Sequence, residues 1–413
     1  MSVLVKTVLV ATTSSGDSRR GTGRCLLLAS IFLSAIVASL LTLRFAPAPF
    51  FWCWLTWAAA LWSTIFGVKG SWLRAILFNL GIVACLLAGA EAYLVTREYT
   101  PSVFSDNFYV RDDIMGWIPA EGIKGHATKA NPTGLLHHPA GLLFDVTYTI
   151  DSNGLRVAPP YSKDDLAGTV LFFGCSFTFG EGLKDDETLP YQVGAQSGGR
   201  FRTINFGVGG YGSEQMLAAI AHGIVGRVVD TPPRYAYYIA LPTHVWRAAG
   251  RVSWGLHAPR YVQAADGKLY QMGNFENRRP LAVRLGLNPH IAGQLNKSAM
   301  WRMLGMSDSR VTDDDIRLYL AIVRRSQDLL TAEYPGIQFR VILYPYQDAA
   351  QRATYEKLRE GFGQMGIPVD IVEDILPGYK TDRSKFILSA EDTHPNALTN
   401  RLLAQYVLNR IAK

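Results

Sequence analysis

Ser176 sits in a turn of small residues, Gly174-Cys175-Ser176-Phe177-Thr178-Phe179-Gly180, directly after the apolar run Thr169-Val170-Leu171-Phe172-Phe173. A serine on a tight turn at the tip of a buried strand is where α/β enzymes present a nucleophile. Its neutral hydroxyl needs a base within hydrogen-bond reach. Near the other end of the chain, Glu391-Asp392-Thr393-His394-Pro395-Asn396 carries a histidine with two acids just before it. His394 would take the serine proton, and Asp392 or Glu391 would fix its tautomer and stabilise the imidazolium. The chemistry is acyl transfer through a covalent acyl-enzyme. The same acids also suit a helix start, where negative charge meets the N-terminal dipole. Cys175 is a second candidate nucleophile, because a thiolate attacks without such an elbow.

An acyl-enzyme needs donors for its oxyanion. A second glycine-rich turn, Asn205-Phe206-Gly207-Val208-Gly209-Gly210-Tyr211-Gly212, offers backbone amides there. It also fits the dinucleotide fingerprint G-x-G-x-x-G. However, it does not follow the first strand of the domain, and no acid ends the next strand, Tyr235 to Leu241. A third segment, Pro242-Thr243-His244-Val245-Trp246-Arg247, places His244 at the end of a central strand. Its ring N–H would serve as a donor, or the ring would be satisfied in loop packing. Arg247 reads as the partner of a carboxylate or of an anionic group.

Taken together, these segments resemble the SGNH (GDSL-type) hydrolase superfamily from about residue 166 to the C-terminus. Gly174-Cys175-Ser176 resembles the first block, with cysteine in place of the usual aspartate. Asn205 to Gly210 resembles the second, with Gly210 in the position of the oxyanion glycine. Asp392-Thr393-His394-Pro395 resembles the last, although the family usually spaces acid and histidine by three, which would favour Glu391. The third block normally supplies an asparagine, and here His244, or less well Thr243, stands in its place. Met115-Gly116-Trp117 and Asn153-Gly154-Leu155-Arg156 look similar to motifs of membrane-anchored bacterial members. The resemblance implies a triad of Ser176, Asp392 and His394, an oxyanion hole of Ser176, Gly210 and His244, and ester chemistry on acylated lipids, sugars or peptides.

Positioning those residues takes an α/β scaffold. Strands are expected at 169–173, 202–206, 235–241, 338–343 and 368–373, and helices around 187–197, 213–226, 313–333, 349–365 and 395–411. Ile316, Leu320, Val323 and Leu330 recur at helical spacing behind Asp313-Asp314-Asp315, and Pro335-Gly336 stops that helix. This alternation predicts a parallel sheet with right-handed crossovers and helices on both faces. The fold class is therefore a flavodoxin-like, SGNH-like three-layer αβα sandwich. An insert at about 248–311 contains a hairpin signal around Asp266-Gly267. Residues 96–165 are a polar connector. There Val146, Tyr148 and Ile150 alternate with polar residues as a half-buried strand, predicting a small β cap.

The start of the chain is apolar. Cys25 to Leu43 and Phe45 to Val68 carry no charge, and Ala75 to Val95 carries only Glu91. Each run is long enough for a bilayer core, so three N-terminal transmembrane helices are expected within 25–95. Lys6, Arg19, Arg20, Arg24, Lys69 and Arg74 place a tail of residues 1–24 in the cytoplasm and the hydrolase domain of 166–413 outside. The formal charge of +7 is partly this cluster, and no basic stripe with interleaved aromatics suggests nucleic acid. The four cysteines form no disulfide framework, since Cys25, Cys53 and Cys85 lie in the spans. His126, His137 and His138 lack metal-ligand spacing, so no metal and no cofactor is expected. The expected protein is an ester hydrolase of a bacterial inner membrane, multi-pass, with its catalytic domain periplasmic or extracytoplasmic. Its substrate is an acylated cell-envelope or exported glycan or lipid. The alternatives are an O-acyltransferase with the same acyl-enzyme, working with envelope-biosynthesis partner proteins, or a catalytically weak glycan-binding or assembly factor.

Overall fold

The computed structural model describes residues 18–46, 48–95, 102–130, 141–252, 254–276, 287–288, 291, 294–295, 297–303 and 311–411. Lys6, His137, His138 and much of the expected insert lie outside the described residues. The chain divides into two compact units, Met1–Glu98 with Thr133–His138 and Pro280–Ser307, and Tyr99–Pro132 with Pro139–Arg279 and Asp308–Lys413.

The first unit contains helices α1 (Ser18–Phe45), α2 (Pro49–Ile65) and α3 (Ser71–Val95). Two of them, through Leu26–Phe45 and Ser71–Val95, are long and apolar enough to cross a membrane. Leu26, Leu33, Leu40, Ile76, Val83 and Leu86 are exposed on them, unlike the apolar side chains of a soluble core helix. The expectation of three spans is therefore corrected to two. The middle run starts late, because Ala48 takes a left-handed conformation before Pro49. It also ends early, in the turn at Phe66-Gly67. The 17 residues that remain helical reach roughly 25 Å, short of a core of about 30 Å. Helices α2 and α3 approach closely at Gly81, where a Cβ would lie 2.0 Å from Trp62 Nε1. The lone acid of the third run, Glu91, is buried. It accepts hydrogen bonds from Ser298 Oγ at 2.9 Å and from the amides of Ala299 and Met300 at 2.6 and 3.2 Å, at the start of a short helix, Ala299–Met303.

The second unit is built on a five-stranded sheet of β6 (Gly168–Phe173), β7 (Phe201–Asn205), β8 (Pro233–Ala240), β11 (Gln338–Leu343) and β12 (Val369–Ile371). The order is β12-β11-β8-β6-β7, and every pairing is parallel. Numbered within the sheet this is 2-1-3-4-5, with the switch point between β6 and β8, where ligands of such sheets bind. Both faces are buried. Leu171, Phe173, Ala236, Tyr238, Val341 and Leu343 pack toward α6 (Ser213–Ala221), α9 (Asp313–Glu333) and α10 (Arg352–Gln364). Val170, Phe172, Tyr237, Ile239 and Ile342 pack toward α5 (Leu189–Gln196) and α12 (Ala397–Ile411). The period-2 alternation inside continuously apolar runs makes three layers. Helix α9 starts at Thr312, whose hydroxyl accepts the Asp315 amide while the Asp315 carboxylate accepts the Thr312 amide.

The cap belongs to the same unit. Strands β1 (Val103–Phe104), β4 (Lys124–Ala130) and β5 (Leu142–Thr149) form an antiparallel sheet in the order β1-β4-β5, beside a hairpin of β2 (Tyr109–Asp112) and β3 (Gly116–Pro119). A small core of Phe108, Ala127, Phe144, Tyr148 and Ile150 closes onto Phe179 from the serine turn. The expected hairpin around Asp266-Gly267 is present as β9 (Pro259–Gln263) and β10 (Leu269–Asn274).

Candidate active site

Ser176 opens α4 (Ser176–Phe179), a single turn that follows β6 with only Gly174 and Cys175 between. The turn demands glycine at 174. Its φ is +148°, and a Cβ there would lie 2.2 Å from Thr178 Oγ1 and 2.9 Å from the Ile239 carbonyl oxygen. As the first helical residue, Ser176 has an amide with no acceptor inside the turn. Cys175 is fully buried in the core on the α5/α12 face, and the serine hydroxyl, not the thiol, bonds the base.

The loop before α12 brings the base. Leu388 donates its amide to the His394 carbonyl at 2.9 Å, and Ile387 bridges Pro395. Asn396 donates from Nδ2 to the carbonyls of Lys385 and Ile387, and its own Oδ1 accepts the Thr399 amide. His394 Nε2 lies 2.7 Å from Ser176 Oγ, and its Nδ1 lies 2.5 Å from Asp392 Oδ1. An ionised carboxylate only accepts, so Nδ1 carries the proton and the Nε2 lone pair meets the serine hydroxyl. The ring also packs on Phe177, with centroids 4.9 Å apart. Asp392 thus holds the histidine at a two-residue spacing, and its Oδ1 also accepts the His394 amide at 3.1 Å. Glu391 is exposed and points its amide to Ser389 Oγ.

Asp392 has no exposed surface, and its second oxygen, Oδ2, lies 2.9 Å from the ammonium of Lys129, itself 1% exposed. Burial alone would push this acid up. The hydrogen bond and charge of His394, followed by Lys129, outweigh burial and hold it well below the usual carboxylate range. Lys129 comes from cap strand β4, and sequence reasoning missed it. Its place shows only in the folded strand, where β4 alternates exposed and buried and Lys129 falls in phase with the buried Gly125 and Ala127.

Two further contacts lock the site together. The Asn205 side chain donates to the Thr178 carbonyl at 3.0 Å and accepts the Gly207 amide at 2.9 Å, so the first two loops share one clamp. Arg156, the arginine of the Asn153-Gly154-Leu155-Arg156 motif, is buried. It donates to the carbonyls of Phe179, Gly180 and Leu183 and to Asp185, and lies against the rings of Tyr148 and Phe179. Desolvation lowers its pKa, with the Asp185 carboxylate acting against that.

Gly210 takes φ +83° in the second loop, and a Cβ on it would lie 3.1 Å from both Trp117 Cζ2 and Trp254 Nε1. Trp117 donates from its indole to the Gly209 carbonyl at 3.0 Å. His244, the third expected oxyanion donor, makes no hydrogen bond to the triad. It is wholly buried at the start of α8 (His244–Ala248), with Nδ1 2.7 Å from the Tyr238 hydroxyl. Tyr319 donates to Tyr238 at 3.4 Å, so the Tyr238 proton goes to Nδ1, leaving an Nε2–H without a partner. Burial, and then the Arg247 charge, lower the His244 pKa well below 6.5, so the ring is neutral. Glu214, which also feels the Arg247 charge, is pushed up to about 8 by burial, against its own amide and Arg247, and is protonated at neutral pH. A cavity of about 320 Å³ lies between β3 and α6, and no triad residue lines it.

No family model and no curated protein matches the chain. Among solved structures it is similar to a member of the lipolytic protein G-D-S-L family from Veillonella parvula, at 15% identity, 59% of this chain, 98% of that one and a TM-score of 0.33. It is also similar to the acetylxylan esterase Axe2 from Geobacillus stearothermophilus, at 14% identity, 61% of this chain, 97% of that one and a TM-score of 0.33. A third is LAE5, an alpha/beta hydrolase enzyme from the metagenome of Lake Arreo, at 16%, 60%, 96% and 0.33.

Proposed function

We propose that this chain is a serine-dependent carboxylic ester hydrolase. The observation that carries the reading is the unbroken hydrogen-bonded line Ser176 Oγ–His394–Asp392, with links of 2.7 and 2.5 Å. His394 takes the serine proton as Oγ attacks the ester carbonyl, and Asp392 stabilises the imidazolium. The same imidazolium returns the proton to the leaving alkoxide. Water, deprotonated by His394, then releases the acid. The amides of Ser176 and Gly210 and the unpartnered Nε2–H of His244 are the proposed oxyanion donors. Because its Nδ1 lone pair is occupied by the Tyr238 hydroxyl, His244 presents only the Nε2–H and donates without competing as a base.

The proposed substrate is an acyl ester on an envelope or exported glycan or lipid, cleaved outside the cytoplasmic membrane. Two helices long and apolar enough to cross a bilayer support attachment to a membrane, and the basic residues before the first support a cytoplasmic start of the chain. In kinetics on a short p-nitrophenyl ester, Ser176→Ala should lose turnover to the background left by binding and oxyanion donors, while Cys175→Ala should retain it. Retained turnover in Ser176→Ala with an inactive, folded Cys175→Ala would move the nucleophile and contradict the reading.

A further inference from the structure

The triad acid of this chain carries a counter-ion that its own loop does not supply. Asp392 Oδ1 is occupied by His394, and Oδ2 faces Lys129 Nζ at 2.9 Å with both side chains hidden from solvent. Burying an ammonium costs several kcal/mol unless it is paired, and an apolar residue would fill an inward strand position without that cost. Lys129 lies on β4, whose neighbour β5 turns Tyr148 into the same cap core. The groups facing Asp392 are His394 from its own loop, Lys129 from β4 and, near enough to feel its charge, Tyr148 from β5. Ser389 holds its backbone amide.

We propose that Lys129 is a positioning residue of the triad, fixing Asp392 as an ionised acceptor aimed at His394 and making the triad complete only with the cap strand in place. The proposal rests on the hydrolase reading. Its physical content is charge balance. With Lys129, the resting site is a neutral ion pair beside a neutral imidazole. Without it, a buried carboxylate is left unpaired, and the Asp392–His394 pair binds a proton more tightly. That bound proton silences the base at a pH where the wild-type base is still free.

The test compares wild type, Lys129→Met, Lys129→Arg, Asp392→Asn and the double variant Lys129→Met/Asp392→Asn, as full chains in detergent on one p-nitrophenyl ester. In Lys129→Met, kcat should fall roughly 10- to 100-fold with little change in KM, the range for residues that orient a catalytic ligand. The acidic limb of kcat/KM should rise by about one pH unit. Lys129→Arg should recover part of kcat. The double variant should be no slower than Asp392→Asn alone, because Lys129 acts through that carboxylate. An unmoved acidic limb, or losses that multiply in the double variant, would overturn the proposal. If Lys129→Met does not fold, folding of the double variant supports the pairing, since neither charge is then buried alone. Failure of both while Asp392→Asn folds would reduce Lys129 to cap packing and contradict it. An inert wild type, equal to Ser176→Ala, would instead remove the hydrolase reading, while the unfolding midpoints of the same proteins would still report the ion pair.

Discussion

At the scale of single residues, the site is decided by which polar groups have partners. His394 has both ring nitrogens engaged, toward Ser176 and Asp392, and its proposed role as the base rests on that geometry. His244 has one engaged and one Nε2–H unpartnered in a fully buried setting. An unpaired buried donor costs about 1–3 kcal/mol, which a developing oxyanion would repay. His244→Ala should therefore lower kcat by roughly 10²-fold with a smaller change in KM. His244→Asn should recover part of the loss, because an amide N–H reaches a similar point. Wild-type kcat in a folded His244→Ala would leave the residue as core packing around Tyr238. The serine and the histidine with its acids could be read from the sequence because small-residue turns and acid–histidine pairs are local. The choice between Asp392 and Glu391 could not, because spacing does not say which carboxylate turns inward. Lys129 was illegible for a deeper reason: a lone inward lysine reads as a fault in a strand until its distant partner is in place.

At the scale of elements, two glycine turns and a cap strand hold the chemistry. Gly207 packs so tightly on the serine turn that a Cβ would meet Thr178 Cβ at 2.5 Å and the Phe179 backbone nitrogen at 2.6 Å. Gly207→Ala should push the two loops apart and lower kcat by at least tenfold, since misplacement by about 1 Å can cost 10²-fold. Circular dichroism should remain native, and unchanged kcat would show that the loops are not rigidly coupled. The sheet was legible to the residue at 338–343, where Phe339, Val341, Ile342 and Leu343 make a short apolar run that suits a buried strand. Helix 213–226 was not. It breaks into α6 and α7 (Ile224–Val228) at Gly223, whose φ of +67° no regular helix accepts. The cap was foreseen only as one half-buried strand, because short antiparallel strands take their pairing from the body beneath them. The work of Arg156 there, binding three carbonyls and a carboxylate, depends on contacts that sequence neighbours do not reveal.

At the scale of the whole molecule, one unit carries apolar helices and the other carries the Ser176–His394–Asp392 line, so the proposed ester hydrolase would be tied to a membrane. The two-span count changes the topology arithmetic. Crossing at α1 and α3 alone returns the chain to its starting side, whereas a membrane-crossing α2 would place it opposite. The proposed extracytoplasmic location therefore needs an odd number of crossings, one more than the two helices long and apolar enough to span supply. Alkaline phosphatase fused after Lys413 should be active in that case, and an inactive fusion would place the catalytic unit in the cytoplasm. The central claim is the nucleophile, and the most direct measurement of it is covalent. The detergent-solubilised full chain is treated with a fluorophosphonate, digested and read by mass spectrometry. The account predicts a phosphonyl adduct on Ser176, abolished in Ser176→Ala and strongly slowed when His394 is replaced by alanine. Folded wild-type protein that acquires no adduct, or acquires it at another residue, would contradict the account.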